Sequence, residues 1–246
     1  GNIMSKKIDL IPIEKDDFYG FNFYKKYTED KSYARPTNED IMCETQLNSL
    51  STHEKLRPRI DNNIFLKEVN LYKDKWRPYL QRPGFVNDRE GLLLWGLEGD
   101  SCNDSLSMPE ARRRTENPNL KESEFCYPTQ FYKDIPCLHR ICEYFAPLGR
   151  TYIVKANKGS FFPPHKDFPL ISRDCFRIVC FWGNTTEYSW ETDSQKLIIK
   201  SGNTYYVDTR KTHQTHMWGE EPSYHLIMNI PKTWKNVVKL MSICQK

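Results

Sequence analysis

The sequence predicts a mainly β chain with flanking helices, and three observations carry that reading. Beyond Arg150, short β-like runs follow one another closely: Tyr152-Ile153-Val154, Phe176 to Trp182, Lys196 to Lys200, Thr204 to Val207 and His225 to Ile230. Polar turns such as Gly183-Asn184 and Ser201-Gly202-Asn203 separate them. Amphipathic stretches before and after this region have helical spacing. Several strands at short, regular intervals point to an antiparallel sandwich or barrel.

The elements follow in chain order. Residues 1–60 are polar and turn-rich with aromatic islands such as Phe18-Tyr19-Gly20-Phe21, which predicts an arm or irregular layer over a core. Residues 63–71 and 91–97 carry strand-like apolar content. Residues 98–130 form a long polar segment with Pro109, Pro118 and Pro128, the texture of a flap or an insertion. The triplet Arg112-Arg113-Arg114 within it reads as solvated surface. Asp134 to Phe145 predicts a helix: Asp134 offers an N-cap, and Leu138, Ile141, Cys142 and Phe145 form one stripe. Trp234 to Ile243 predicts a closing helix. The expected organisation is an α/β layer and flap over residues 1–149, packed on a β core over 150–246.

Composition limits the function classes. The 246 residues are 38% hydrophobic and 13% aromatic, enough for a packed core, and 28% charged, ordinary for a globular chain. A net charge of +4 without a basic stripe does not suggest nucleic acid. Trp182 and Trp190 lie in or beside strands and read as core packing rather than a base-stacking platform. No apolar run approaches the roughly 20 residues of a membrane helix. Gly1 to Lys7 has no run of the signal-peptide type. The 8 cysteines are scattered without a Cys-x-x-Cys pair, which predicts reduced thiols and a cytoplasmic setting.

The chemistry concentrates in Phe161-Phe162-Pro163-Pro164-His165-Lys166-Asp167. Residues i and i+2 of an extended segment share a face, so His165 and Asp167 aim an imidazole and a carboxylate at one point. A third ligand comes from the end of the chain. His213 and His216 lie three apart and point to opposite faces of a strand, and His213 is preferred. Two histidines and one carboxylate on one face of an ion, with the other positions open, form the expected site for oxygen-activating iron(II). His225 opens a strand and reads equally as a carboxylate contact or as a satisfied core histidine.

The ordered series is wider than the triad. Lys158-Gly159-Ser160 precedes it, a strand with Arg177 follows, then Gly202 to His213, then Tyr224 to Ile230. This series resembles the 2-oxoglutarate and iron(II)-dependent oxygenases, within them the aspartyl/asparaginyl β-hydroxylase-like branch that includes proline hydroxylases. The resemblance spans about residues 150–231. It implies a double-stranded β-helix, the cupin-like jelly roll, with metal ligands His165, Asp167 and His213 at its open end. It implies Fe(II), 2-oxoglutarate and O2, with a 2-oxoglutarate carboxylate on Arg177. It also implies hydroxylation of an unactivated C–H bond of an amino acid or peptide-type substrate, with release of succinate and CO2. Asp167 argues against halogenation, which leaves that position without a carboxylate. The family usually carries a second arginine about ten residues beyond the distal histidine. Ser223 stands there: either Ser223 assists while another cation such as Arg177 takes over, or the cosubstrate sits differently, with His225 a further candidate contact. A cupin-like metal-binding protein or isomerase without oxygenase activity, and a zinc hydrolase on the same ligands, remain alternatives. The loop Arg82 to Glu90, with Arg82, Asn87 and Arg89, and the 98–130 segment are candidate substrate contacts.

Overall fold

The computed structural model describes residues 36–78, 89–167 and 173–245. The islands at 18–21, and Arg82 and Asn87, lie outside them. Two antiparallel sheets face each other. The larger has eight strands. Its main path runs β1 (His53–Arg59), β10 (Asn203–Val207), β7 (Cys175–Gly183), β12 (Ser223–Pro231), β5 (Thr151–Ala156), β3 (Arg89–Gly96) and β2 (Arg77–Pro78). The short β4 (Tyr127–Pro128) pairs with β3 off this path. The smaller sheet runs β6 (Phe161–His165), β11 (His213–Met217), β8 (Tyr188–Thr192) and β9 (Gln195–Lys196). This is the jelly-roll arrangement, mainly β with flanking helices. The larger sheet draws strands from both sides of residue 150, since β1 pairs with β10 and β3 with β5.

The central strand β7 is apolar on both faces because both are covered. Phe176, Ile178, Cys180 and Trp182 join the core beneath the helices, while Val179 and Phe181 join the core between the sheets. Asn229 and His225 on β12 share the inter-sheet face with Ile227 by the period-2 alternation of a strand. The closing helix Trp234–Ile243 forms as its stripe predicts and buries Val237, Leu240 and Ile243.

Four local expectations are corrected. Residues 63–71 are not a strand: a helix spans Asn62–Val69, capped by the Asp61 carboxylate accepting from Ile64 N at 2.9 Å. Its buried Phe65 and Val69 are four apart, so the helical period wins over apolar content, and Phe65 stacks on Trp182 with centroids 3.7 Å apart. The 98–130 segment carries a helix, Met108–Thr115, opened by Ser107 and Pro109. Arg112 to Arg114 lie in its last turn, where cations offset the helix dipole. The stretch from 134 to 145 breaks into pieces: Asp134 closes a short helix at Gln130–Lys133, and a second runs His139–Phe145 after a 3-10 turn at Pro136–Leu138. Residues 197–200 are not strand. The strand of that region is β8, whose alternating Tyr188, Trp190 and Thr192 point inward between exposed or half-buried neighbours. The N-terminal layer is likewise more regular than expected, with a capping-box helix at Asn38–Leu47 and then β1.

Candidate metal centre

β6 is an edge strand whose pairing with β11 shifts register between His213 and Thr215, and both features let it tolerate the adjacent Pro163 and Pro164, each of which lacks an N–H for the ladder. It pairs with β11 so that His165 lies directly opposite His213. Their rings stand with centroids 4.2 Å apart. Asp167 follows the end of β6 and is anchored by its own N–H to Thr209 O at 2.9 Å. One ligand atom each from His165, Asp167 and His213 lies within 4.8 Å of the others. The alternative His216 is exposed on the outer face, against Phe161.

The orientation of the rings is set by their other nitrogens. His165 Nδ1 pairs with Pro163 O at 2.8 Å and His213 Nδ1 with Lys211 O at 3.0 Å. Each Nδ1 then carries the hydrogen, and each Nε2 turns a lone pair toward the shared point, the arrangement a metal-binding imidazole needs. His165 Nε2 stands 3.1 Å from Asp167 Oδ1, and His213 Nε2 3.7 Å from Asp167 Oδ2. Donors on adjacent corners of a six-coordinate ion with bonds of about 2.1 Å are about 3 Å apart. The donor set therefore fits a divalent transition-metal ion held on one face.

Electrostatics keep Asp167 and His213 unprotonated. Burial pushes the Asp167 carboxyl up, but Arg177, the His165 ring and His213 together hold it well below the usual carboxylate range. Burial is the main cause that lowers His213 to about 4, against the pull of Asp167. Trp190 stacks on the His213 ring at 5.6 Å and Phe162 packs on His165 at 4.1 Å, so apolar walls enclose the ligands.

Arg177, on β7, donates through Nη1 to Asp167 Oδ2 at 2.5 Å and through Nε to Asn229 Oδ1 at 3.2 Å. It therefore stands beside the ligands. Ser223 and His225 are both buried on β12, with Ser223 Oγ 3.0 Å from His225 Nε2, and of the two only His225 borders the cavity beside the triad. The triad opens onto a cavity of about 480 Å³ lined by, among others, Arg89, Tyr152, Tyr188, Arg177, Thr215 and His225. Arg112 and Lys121 from the 98–130 segment also line it.

No protein-family model matches the sequence, and no curated protein sequence does either. Among solved structures the chain is similar to a prolyl hydroxylase from Trichoplax adhaerens in complex with a hypoxia-inducible-factor peptide. The TM-score is 0.43 at 10% identity, over 78% of this chain and 90% of that one. It is similar to a Pseudomonas putida prolyl-4-hydroxylase with TM-score 0.41 at 9% identity, over 77% and 98% of the two chains. It is also similar to an oxidoreductase of the 2OG-Fe(II) oxygenase family from Burkholderia pseudomallei, with TM-score 0.39 at 13% identity, over 80% and 93%.

Three parts of the site escaped the sequence. Asn229 bridges Arg177 and Arg150 O, the latter at 2.7 Å. Arg150 makes a buried two-pronged pair with Glu122, at 2.9 and 3.1 Å, along the cavity wall. Trp190 supplies a wall to the metal ligands. Asn229 and Arg150 show only as ordinary polar residues next to apolar runs, and nothing local marks them. Trp190 could have been found from the alternation Tyr188-x-Trp190-x-Thr192, which puts it on the same face as a cavity.

Proposed function

We propose that the chain is a 2-oxoglutarate and Fe(II)-dependent oxygenase that hydroxylates an unactivated C–H bond of an amino acid or peptide-type substrate. The observation that carries the reading is the convergence of His165 Nε2, Asp167 and His213 Nε2 at the mouth of a cavity. Two imidazoles and one carboxylate leave several positions of a six-coordinate ion to ligands from the cavity, as an oxygen-activating iron(II) centre requires. When bound, iron(II) would supply the activation of O2. The overall conversion is substrate C–H, O2 and 2-oxoglutarate to substrate C–OH, succinate and CO2.

The chain's own residues do the rest. His165, Asp167 and His213 hold the ion. Arg177 occupies one oxygen of Asp167, which favours coordination through the other oxygen and leaves room for further ligands. Its planar guanidinium is also suited to the near carboxylate of the 2-oxo acid. Phe162 and Trp190 exclude water from the ligand face. The 8 cysteines are all unpaired, in keeping with a reducing, cytoplasmic setting. Among the described residues, no helix is long and apolar enough to cross a membrane.

Succinate release with iron(II), ascorbate and a panel of amino acids and peptides tests the reading. His165→Ala and Asp167→Ala should each abolish iron retention and 2-oxoglutarate turnover while the fold persists. Arg177→Met should sharply raise the cosubstrate concentration required. Retained turnover without His165 or Asp167 removes the assignment. Metal binding without any 2-oxo-acid turnover favours the cupin-like metal-binding alternative.

A further inference from the structure

Where the resembled family carries its second arginine, this chain has Ser223, fully buried and committed to His225. The cavity nevertheless has a further cation in its lining, Arg89. Arg89 opens β3 and pairs in register with Ala156, so it shares the inward face of the larger sheet with Gly91 and Leu93, opposite Val154 and Tyr152. It reaches across to the smaller sheet, where its guanidinium carbon lies 5.3 Å from the Phe162 ring centre.

A set of hydrogen-bonding side chains adjoins it. Phe162 pairs in register with Thr215. Thr215 is two residues beyond His213 on the inward face of β11, about 7 Å further along the strand. Tyr188, on neighbouring β8, lies diagonally across from Thr215 and packs its ring 4.1 Å from that of His225. All four, Arg89, Tyr188, Thr215 and His225, line the cavity that also holds the metal ligands. Tyr188, Thr215 and His225 are each no more than 9% exposed. Burial raises the Tyr188 phenol, so its hydroxyl remains a donor at neutral pH. Burial and then the Arg89 charge lower His225, so its ring is neutral. A guanidinium with hydroxyl donors between aromatic walls is matched by a carboxylate, and the low local dielectric strengthens the match.

We infer that Arg89, with Tyr188, Thr215 and His225, forms a second carboxylate-binding pocket in the cavity that takes the far carboxylate of a dicarboxylate 2-oxo acid. This rests on the reading of the triad as a 2-oxo-acid-dependent metal centre. The cation comes from β3, next to the end of the larger sheet, instead of from β12. Arg177 and Arg89 then serve opposite ends of one ligand. Specificity for a dicarboxylate over a monocarboxylate resides in Arg89.

Calorimetric titration of the zinc(II)-loaded protein, which turns nothing over, measures this directly. 2-Oxoglutarate is compared with 2-oxopentanoate, which has the same carbon chain without the far carboxylate. The unaltered protein should prefer 2-oxoglutarate. Arg89→Met should weaken 2-oxoglutarate about 30-fold, as loss of a charge-assisted pair implies, and leave 2-oxopentanoate within about 3-fold. Arg89→Lys, the gentler variant if the methionine protein does not fold, should give an intermediate loss confined to 2-oxoglutarate. Unchanged 2-oxoglutarate affinity in folded Arg89 variants overturns the pocket while the metal-centre reading stands. Failure of the unaltered, metal-loaded protein to bind either 2-oxo acid overturns both.

Discussion

Arg177 illustrates how one residue can set the chemistry of its neighbours. Its guanidinium lies against Asp167 on one side and is held by Asn229 on the other. Asn229 is fully buried, and its amide nitrogen donates to Arg150 O at 2.7 Å. Both ends of this amide are in use, so its orientation, and through it that of Arg177, is determined. Replacing Asn229 by Leu keeps the volume but leaves a buried guanidinium N–H and a carbonyl without their partner. The expected cost is about 1–3 kcal/mol of stability. Metal affinity should fall by about tenfold, because groups that orient ligands matter almost as much as the ligands. Denaturant unfolding and competition with a chelator of known affinity measure the two effects. A loss of stability with unchanged metal affinity would mean that Arg177 finds Asp167 without Asn229.

At the scale of elements, the junction between β1 and β10 is held by a single glycine. Gly202 has φ of +80°, and a Cβ there would meet Ile60 O at 2.3 Å. Its backbone is also spoken for: Ile60 N donates to Gly202 O and Gly202 N to Phe181 O, both at 2.8 Å. Gly202→Ala therefore suffers both the left-handed backbone and a backbone collision. A loss of at least about 2 kcal/mol is expected in denaturant unfolding, and a loss below 1 kcal/mol would show that this turn relaxes freely. The turn was legible as Ser201-Gly202-Asn203, as were the strands with continuous apolar runs. Elements that face the cavity were harder to read. β8 alternates aromatic with polar residues and β11 is polar except for Met217, because half of each strand lines a polar site, so hydrophobic content understates them. Residues 63–71 failed for the opposite reason: a short apolar run fits a strand or a helix, and the Asp61 cap and the Phe65–Val69 spacing decide it. In the site, His165 and Asp167 could be read because both ligands come from one short segment. Glu122 and Arg150, 28 residues apart, meet only through the fold.

Over the whole molecule, buried charge among the described residues gathers in the Glu44 cluster and in the cavity, and each ties distant parts of the chain together. Glu44, from the helix at Asn38–Leu47, accepts from Arg173 and Lys232 at 3.0 Å each and also from Arg210. Arg210 is braced by Asp208 at 2.8 Å, and the adjoining Thr209 carbonyl holds the Asp167 backbone. The N-terminal layer thus supports the loop that places a metal ligand. The second place is the cavity, which beside the Arg150–Glu122 and Arg177–Asp167 pairs encloses two neutral histidines, His213 and His225. Burial lowers His213 to about 4 and His225 well below its ordinary value. In the unfolded chain both rings titrate near 6.5. Below that pH the unfolded chain binds protons that the native, metal-free protein refuses, so native stability is full above about pH 6.5 and declines as pH falls toward about 4. For His213 the expected loss at pH 5 is roughly 2 kcal/mol. Denaturant midpoints of the metal-free protein at pH 7.5, 6.5, 5.5 and 4.5 should trace this fall. His225→Gln should flatten it, since that side chain has no proton to refuse. A midpoint constant from pH 7.5 to 5.5, or an equal slope in the variant, would mean that these rings take up protons within the fold and that the cavity is wetter than its walls suggest.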